Sequence, residues 1–176
     1  MQWAKITDII LATSIAILGI FAVLALCQWI TRKSFKKIDK NLRAFIIPVL
    51  AMAAIYIIFD KFIILSVRPD GSGEPSFPST HTMVVATIFF ITALNLKHYV
   101  RQKPLRITLD IVMLILIALT AAGRILSNKH WPMDVACGLV FAVVLAGLYY
   151  LLSRHKNPSH DIKEPSKPTK QTKESQ

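Results

Sequence analysis

Five apolar runs separated by short polar loops constrain this chain more than any other feature. The runs cover about residues 8–30, 44–66, 82–97, 106–123 and 134–153. A helix needs about 20 mostly apolar residues to cross a bilayer, and the third and fourth runs fall slightly short, as helices packed inside a bundle can. No run alternates as a barrel strand does. The pattern therefore predicts an all-α polytopic membrane helix bundle with about five transmembrane helices.

Composition supports the membrane class and narrows the set of partners. The chain has 176 residues, of which 53% are hydrophobic and 18% charged, and its net charge is +11. The basic residues lie at the ends of apolar runs and not in a polar stripe interleaved with aromatics, so nucleic-acid binding is not expected. Cys27 and Cys137 lie inside apolar runs, where cysteine usually acts as a small apolar side chain.

The distribution of basic residues predicts the topology. The loops 32–43 and 97–106 and the segment 154–156 are basic, and five spans place all three on one side of the membrane. The positive-inside rule makes that side cytoplasmic, with the N-terminus outside and the C-terminus in the cytoplasm. The first run is too long for a signal peptide and lacks a small-x-small cleavage site, so it is expected to remain as a span.

Two units are expected along the chain. Residues 1–156 form the transmembrane domain, and residues 157–176 form a polar cytoplasmic tail rich in Lys, Pro, Ser, Thr and Glu. Such a composition cannot bury a core and predicts disorder. Binding of the tail to anionic lipid headgroups is the alternative to a solvated tail.

The first polar motif lies at the end of the second run. Lys61 and Arg68 are seven residues apart, which places them on one face if the helix continues, and Pro69 marks a helix end. Arg68 alone could be a cation that extends to the interface. Lys61 lies within the apolar run, where charge is costly and often functional, although the adjacent Asp60 could partly neutralise it.

The second motif opens the third run, with the order Pro78, Ser79, Thr80, His81. Ser79 or Thr80 is a natural helix N-cap. The free N–H groups of a helix N-terminus can bind phosphate, and His81 adds a titratable group one turn inside. For Ser79 taken alone, a plain helix cap is the simpler interpretation.

The third motif joins the fourth and fifth runs. It contains Arg124, His130, Pro132 and Asp134. Pro132 suits the first turn of a helix. Asp134 follows His130 by four residues, near enough to accept a hydrogen bond from one imidazole nitrogen and leave the other free to attack or bind.

These three motifs, Lys-x6-Arg-Pro, Pro-Ser-x-His and Arg-x5-His-x3-Asp, resemble the signature motifs of the type 2 phosphatidic acid phosphatase superfamily over residues 61–134. Two positions depart from the family pattern. Thr80 stands where the family usually has glycine, which would crowd a backbone N–H aimed at phosphate. Gly123 stands where the family usually has serine, which removes one possible hydroxyl donor.

The resemblance implies a role for each matched residue and no cofactor. His130 would form a phosphohistidine while Asp134 holds its ring, and His81 would protonate the leaving oxygen and then activate water. The alternative is a metal held by the two histidines and Asp134, but nearby cations would repel a divalent ion, so no metal is expected. The phosphate would be held by Lys61, Arg68, Arg124, Ser79 and Thr80.

The predicted function is an integral-membrane lipid phosphatase of the plasma membrane, with its active site on the extracytoplasmic side. Its partners are membrane lipids and a lipid phosphate substrate. The small size slightly favours undecaprenyl diphosphate, with phosphatidylglycerol phosphate and phosphatidic acid as alternatives. A different class, a catalytically inactive membrane protein that binds or transports lipid phosphates, is also considered. The sequence does not predict an oligomeric state.

Overall fold

The computed structural model describes residues 2–34 and 38–154 as five α-helices joined by short connections. Counting α2 together with the π-helical turn Ile58–Phe62 that continues it, every helix is long and apolar enough to cross a membrane. The predicted all-α membrane bundle is confirmed, and the predicted tail 157–176 lies outside the described residues. The helices are α1 Gln2–Arg32, α2 Lys40–Ile57, α3 Thr80–Tyr99, α4 Lys103–Leu126 and α5 Pro132–Arg154.

Helix α3 is the centre of the bundle. Half of its membrane-spanning window is buried, against 11% for α1. Val85, Ile88 and Phe89 are almost completely buried and form the main core with side chains of α1, α4 and α5. Within the described residues, α3 packs against each of the other four helices. The N-terminus of α3 therefore lies in the middle of one end of the bundle.

Helix α2 ends earlier than its apolar run predicts. The run continues to about residue 66, but the α-helix ends at Ile57 and the π-helical turn ends at Phe62. The following segment instead pairs with the chain ahead of α3. Lys61 and Arg68 therefore do not share a helix face, and that expectation was wrong.

The connection between α2 and α3 folds back on itself as a hairpin. Val67 forms an antiparallel bridge with Pro75, and the N–H of Ser76 donates to the carbonyl of Ser66 at 2.9 Å. Gly71 and Gly73 in the turn have φ values of 77° and 74°, a region that glycine enters without steric cost. The hairpin places Ser66 and Ser76 next to each other beside the start of α5.

Candidate active site

His130 is the centre of the polar cluster at this end of the bundle. It lies in the connection between α4 and α5 and is only 4% exposed. Its Nδ1 lies 2.7 Å from the backbone carbonyl of Ser76, and its Nε2 lies 3.3 Å from Nη2 of Arg124. A carbonyl can only accept and a guanidinium can only donate. The ring hydrogen is therefore on Nδ1, and Nε2 carries the lone pair.

The surroundings of His130 keep the ring neutral. Burial, followed by the positive charge of Arg124, lowers the pKa of His130 to about 4. The Ser76 carbonyl and Asp134 oppose this shift, and the charge of Arg68 adds to it. At neutral pH the ring is therefore uncharged and Nε2 is available as a nucleophile.

Asp134 supports the histidine indirectly. Its Oδ1 accepts from the Ser66 hydroxyl at 3.0 Å, and its Oδ2 accepts from the Trp131 N–H at 3.0 Å and from the Ser76 hydroxyl. The predicted direct hydrogen bond to His130 is not formed, because the Nδ1 hydrogen of that ring is donated to the Ser76 carbonyl. The Ser76 hydroxyl instead lies between the two side chains, 3.3 Å from Nδ1 of the ring.

Two arginines bring positive charge to the site. Arg124 is 5% exposed in the last turn of α4, and Arg68 lies in the hairpin, where it pairs with Glu74 at 2.6 Å. The Nε of each arginine is buried and has no hydrogen-bond partner within the described ranges. Buried donors of this kind are normally satisfied, so these N–H groups remain available to an anion.

The N-terminus of α3 supplies the second histidine. Ser79 is the N-cap residue as predicted, but its hydroxyl lies 3.0 Å from that of Thr82 and caps no helix N–H. Ser79 is fully buried and Thr80 partly buried. Nε2 of His81 lies 3.0 Å from a carboxylate oxygen of Asp8 on α1. The uncapped first turn of α3 thus faces the same cluster.

Lys61 is not brought to this cluster. It lies on the π-helical turn with 68% of its side chain exposed, and its ammonium group pairs with Asp60 at 2.8 Å. The predicted neutralisation by Asp60 is therefore present. Arg124 contacts His130, and the charge of Arg68 acts on both histidines, whereas the described contacts of Lys61 include neither of them.

A surface ion pair joins the two loops that carry the site. Lys129 and Asp70 lie 2.7 Å apart, and the pKa of Asp70 is held well below its usual range by hydrogen bonds from Lys129 and Ser72. Nearby, the indole N–H of Trp131 donates to the carbonyl of Val67 at 3.0 Å. These contacts fix the hairpin against the loop that holds the nucleophile.

Sequence reasoning missed three residues of the site. Ser76 stands within the second polar segment but outside the matched motif, and Ser66 lies near the end of an apolar run. Asp8 offered a usable signal, because an acidic residue in a membrane span is rarely without a function. Ser66 offered none, since a lone serine in a membrane helix commonly bonds its own backbone.

Within residues 2–34 and 38–154, the structure contains no group of three His, Cys, Asp or Glu side chains arranged to hold a metal ion. His81 and His130 are held by different acids, since Asp8 bonds the first and Asp134 reaches the second through Ser76. The described side chains therefore bring two arginines and two imidazoles together at one end of the bundle.

Comparison with known proteins agrees with this geometry. Residues 58–158 match the PAP2 superfamily, and the chain belongs to that superfamily. A lipid A 1-phosphatase from Porphyromonas gingivalis is 33% identical over 86 residues. That match covers 49% of this chain but only 18% of the relative.

A solved structure shares the fold. The PAP2 type phosphatidylglycerolphosphate phosphatase from Bacillus subtilis superposes with a TM-score of 0.60 over 86% of this chain and 79% of that one. Its sequence identity is 18%, so this likeness concerns the fold alone. The five-helix bundle is therefore an arrangement already seen in a transmembrane member of the superfamily.

Proposed function

We propose that this protein hydrolyses a phosphomonoester or diphosphate of a membrane lipid through a phosphohistidine at His130. The observation that carries the proposal is the state of the His130 ring. Its hydrogen is directed to the Ser76 carbonyl, and its Nε2 lone pair lies against Arg124. A buried neutral imidazole beside a phosphate-binding cation is suited to nucleophilic attack on phosphorus.

The first step transfers the phosphoryl group to the enzyme. Nε2 of His130 forms a bond to phosphorus while the bond from phosphorus to the lipid oxygen breaks. The departing oxygen keeps the electron pair of that bond and takes a proton from His81. Arg68, Arg124 and the N–H groups at the start of α3 neutralise the equatorial oxygens.

The second step restores the enzyme. His81, now neutral, accepts a proton from water as the water oxygen attacks phosphorus. The bond from phosphorus to Nε2 breaks, its electron pair returns to His130, and inorganic phosphate leaves. Every proton transfer uses a side chain of this protein, so the proposed reaction requires no metal and no cofactor. Ser79 is buried, and its hydroxyl lies 3.0 Å from that of Thr82, so in this proposal Ser79 supports the start of α3 while the backbone N–H groups there bind phosphate.

The proposed location is the extracytoplasmic surface of the plasma membrane. The site lies at the end of the bundle that contains the hairpin 63–79 and the connection 127–131. The basic loops follow α1 and α3 and lie at the other helix ends. The positive-inside rule assigns those basic ends to the cytoplasm.

The substrate is proposed as a lipid phosphate, with undecaprenyl diphosphate first in order. Lipid A and phosphatidylglycerol phosphate join the panel, because the similar proteins are described as phosphatases of those lipids. An inactive binding or transport protein would not need a neutral nucleophile, an acid and two arginines at the same end of the bundle. Their joint presence favours turnover.

The test is phosphate release by the purified full chain in detergent micelles, over a panel of lipid monophosphates and diphosphates. We expect release from at least one lipid, and a loss of at least about 1,000-fold in His130→Ala, because the nucleophile is removed. Activity that disappears with EDTA and returns with a divalent ion would contradict the metal-independent step. Unchanged activity of His130→Ala would contradict the covalent path.

A further inference from the structure

We propose that Asp8 on α1 is a positioning residue that holds His81 ready to protonate the leaving oxygen. The proposal rests on the function proposed above. It adds to the reaction a carboxylate from the first helix. That helix lies outside the residues 58–158 that match the PAP2 superfamily.

The contact between Asp8 and His81 is specific. Oδ1 of Asp8 lies 3.0 Å from Nε2 of His81 and 3.8 Å from Nη1 of Arg124. The same carboxylate oxygen thus reaches both the proposed acid and the principal phosphate-binding cation. Within the described ranges, the Nδ1 of His81 has no hydrogen-bond partner.

This arrangement decides which nitrogen of His81 exchanges its proton. A carboxylate only accepts hydrogen bonds, so the nitrogen facing Asp8 carries hydrogen in both charge states of the ring. Proton gain and loss then occur at Nδ1. A carboxylate also stabilises the imidazolium that must form before the leaving oxygen is protonated.

The packing of α1 explains how Asp8 reaches the site. A Cβ atom built on Gly123 would lie 2.6 Å from Cγ2 of Thr7. Thr7 is fully buried, and its hydroxyl bonds the carbonyl of Ala4 at 2.8 Å. Because Gly123 has no side chain, α1 approaches α4 closely at Thr7. Thr7 immediately precedes Asp8, and Gly123 immediately precedes Arg124.

Comparing two substrates with different leaving groups separates the positioning of His81 by Asp8 from a general structural role of Asp8. A lipid alcohol needs a proton as it departs, whereas p-nitrophenolate leaves readily without one. Loss of Asp8 should therefore lower kcat/KM, which reports the steps up to departure of the leaving group, for a lipid phosphate and spare kcat/KM for p-nitrophenyl phosphate. The second step, in which His81 acts as a base, is common to both substrates. A general structural defect would slow both substrates.

The experiment compares Asp8→Ala and Asp8→Asn with the wild type, using the lipid monophosphate that the wild type hydrolyses best and p-nitrophenyl phosphate. Thr13→Ala is the matched control, because Thr13 is an exposed residue of the same helix whose hydroxyl bonds only its own backbone. For Asp8→Ala we expect kcat/KM to fall about 30-fold or more on the lipid and less than about 3-fold on p-nitrophenyl phosphate. Asp8→Asn should lie between Asp8→Ala and the wild type, because its amide oxygen still accepts but its charge is gone.

Four results would overturn the proposal. Equal losses on both substrates in Asp8→Ala and Asp8→Asn, with Thr13→Ala unchanged, would assign Asp8 to folding or phosphate binding. A rise in kcat/KM would make Asp8 a competitor of phosphate. A wild type that hydrolyses neither substrate would remove the proposed function itself, whereas an active wild type with unaffected Asp8 variants would remove only the role of Asp8.

Discussion

Ser76 contacts both His130 and Asp134. Its carbonyl fixes the hydrogen of His130 on Nδ1, and its hydroxyl donates to the carboxylate of Asp134. Asp134 therefore reaches His130 through the Ser76 hydroxyl, whereas the sequence predicts a direct hydrogen bond between Asp134 and His130. A buried charge that is fully hydrogen-bonded is stable, while one that loses a donor is costly.

Replacing Ser76 should therefore affect turnover more than replacing Ser66. Ser76→Ala and Ser66→Ala each remove one hydroxyl donor to Asp134, but only the Ser76 hydroxyl also lies next to the His130 ring. We expect kcat to fall about 10- to 100-fold for Ser76→Ala and less than about 5-fold for Ser66→Ala. Steady-state kinetics on a lipid phosphate measure the difference. Equal effects would mean that the hydroxyls serve only to satisfy Asp134.

For single residues, the sequence predicted which side chains come together better than how they contact one another. His81, Arg124, His130 and Arg68 were predicted from motif spacing, and the structure brings them together. Lys61 was predicted on the same basis but faces away, because the helix before it ends in a π-helical turn. Contacts between distant segments depend on packing, which spacing along the chain does not encode.

Among the elements, α1 is the least buried and yet supplies a residue to the site. Its close approach to α4 depends on Gly123, whose missing Cβ leaves room for Thr7. In the sequence, Gly123 stands where the family motif usually has serine, and from that difference we predicted only the loss of a hydroxyl donor. The structure adds a packing reason for the small residue.

Gly123→Ala should destabilise the protein by overpacking this contact. Forcing an extra methyl group into a packed interface costs about 1–3 kcal/mol. Thr7→Ser removes the methyl group that would clash while keeping the hydroxyl bonded to Ala4. We therefore expect the double variant to be more stable than the sum of the stability changes in the two single variants predicts. Thermal unfolding of the four proteins in detergent measures this coupling, and strict additivity would contradict the proposed contact.

The element ends also show where sequence patterns fail. The starts of α3 and α5 were predicted closely, because Ser79 and Pro132 are strong local signals. The end of α2 was not, because its apolar run continues into the hairpin that pairs Ser66 with Ser76. Hydrophobicity alone does not distinguish a helical residue from an apolar residue in an extended loop.

For the whole molecule, the account requires the hairpin and the site to face away from the cytoplasm. In a Cys27→Ser, Cys137→Ser background, Ser72→Cys and Gln102→Cys each place one thiol at an exposed position. A membrane-impermeant maleimide applied to intact cells should label Ser72→Cys and leave Gln102→Cys unlabelled until the cells are opened. Labelling of Gln102→Cys in intact cells, with none at Ser72→Cys, would invert the topology.

The proposed mechanism requires a covalent phosphohistidine at His130, and trapping that intermediate tests it most directly. Rapid quenching of the wild-type enzyme with a lipid carrying labelled phosphate should give a phosphoprotein that is labile in acid and stable in base, as a phosphohistidine is. Its formation should keep pace with turnover, and peptide mapping should place the label on His130. A single-turnover experiment that releases phosphate with no such intermediate, or one in which His130→Ala still becomes labelled and active, would contradict the account.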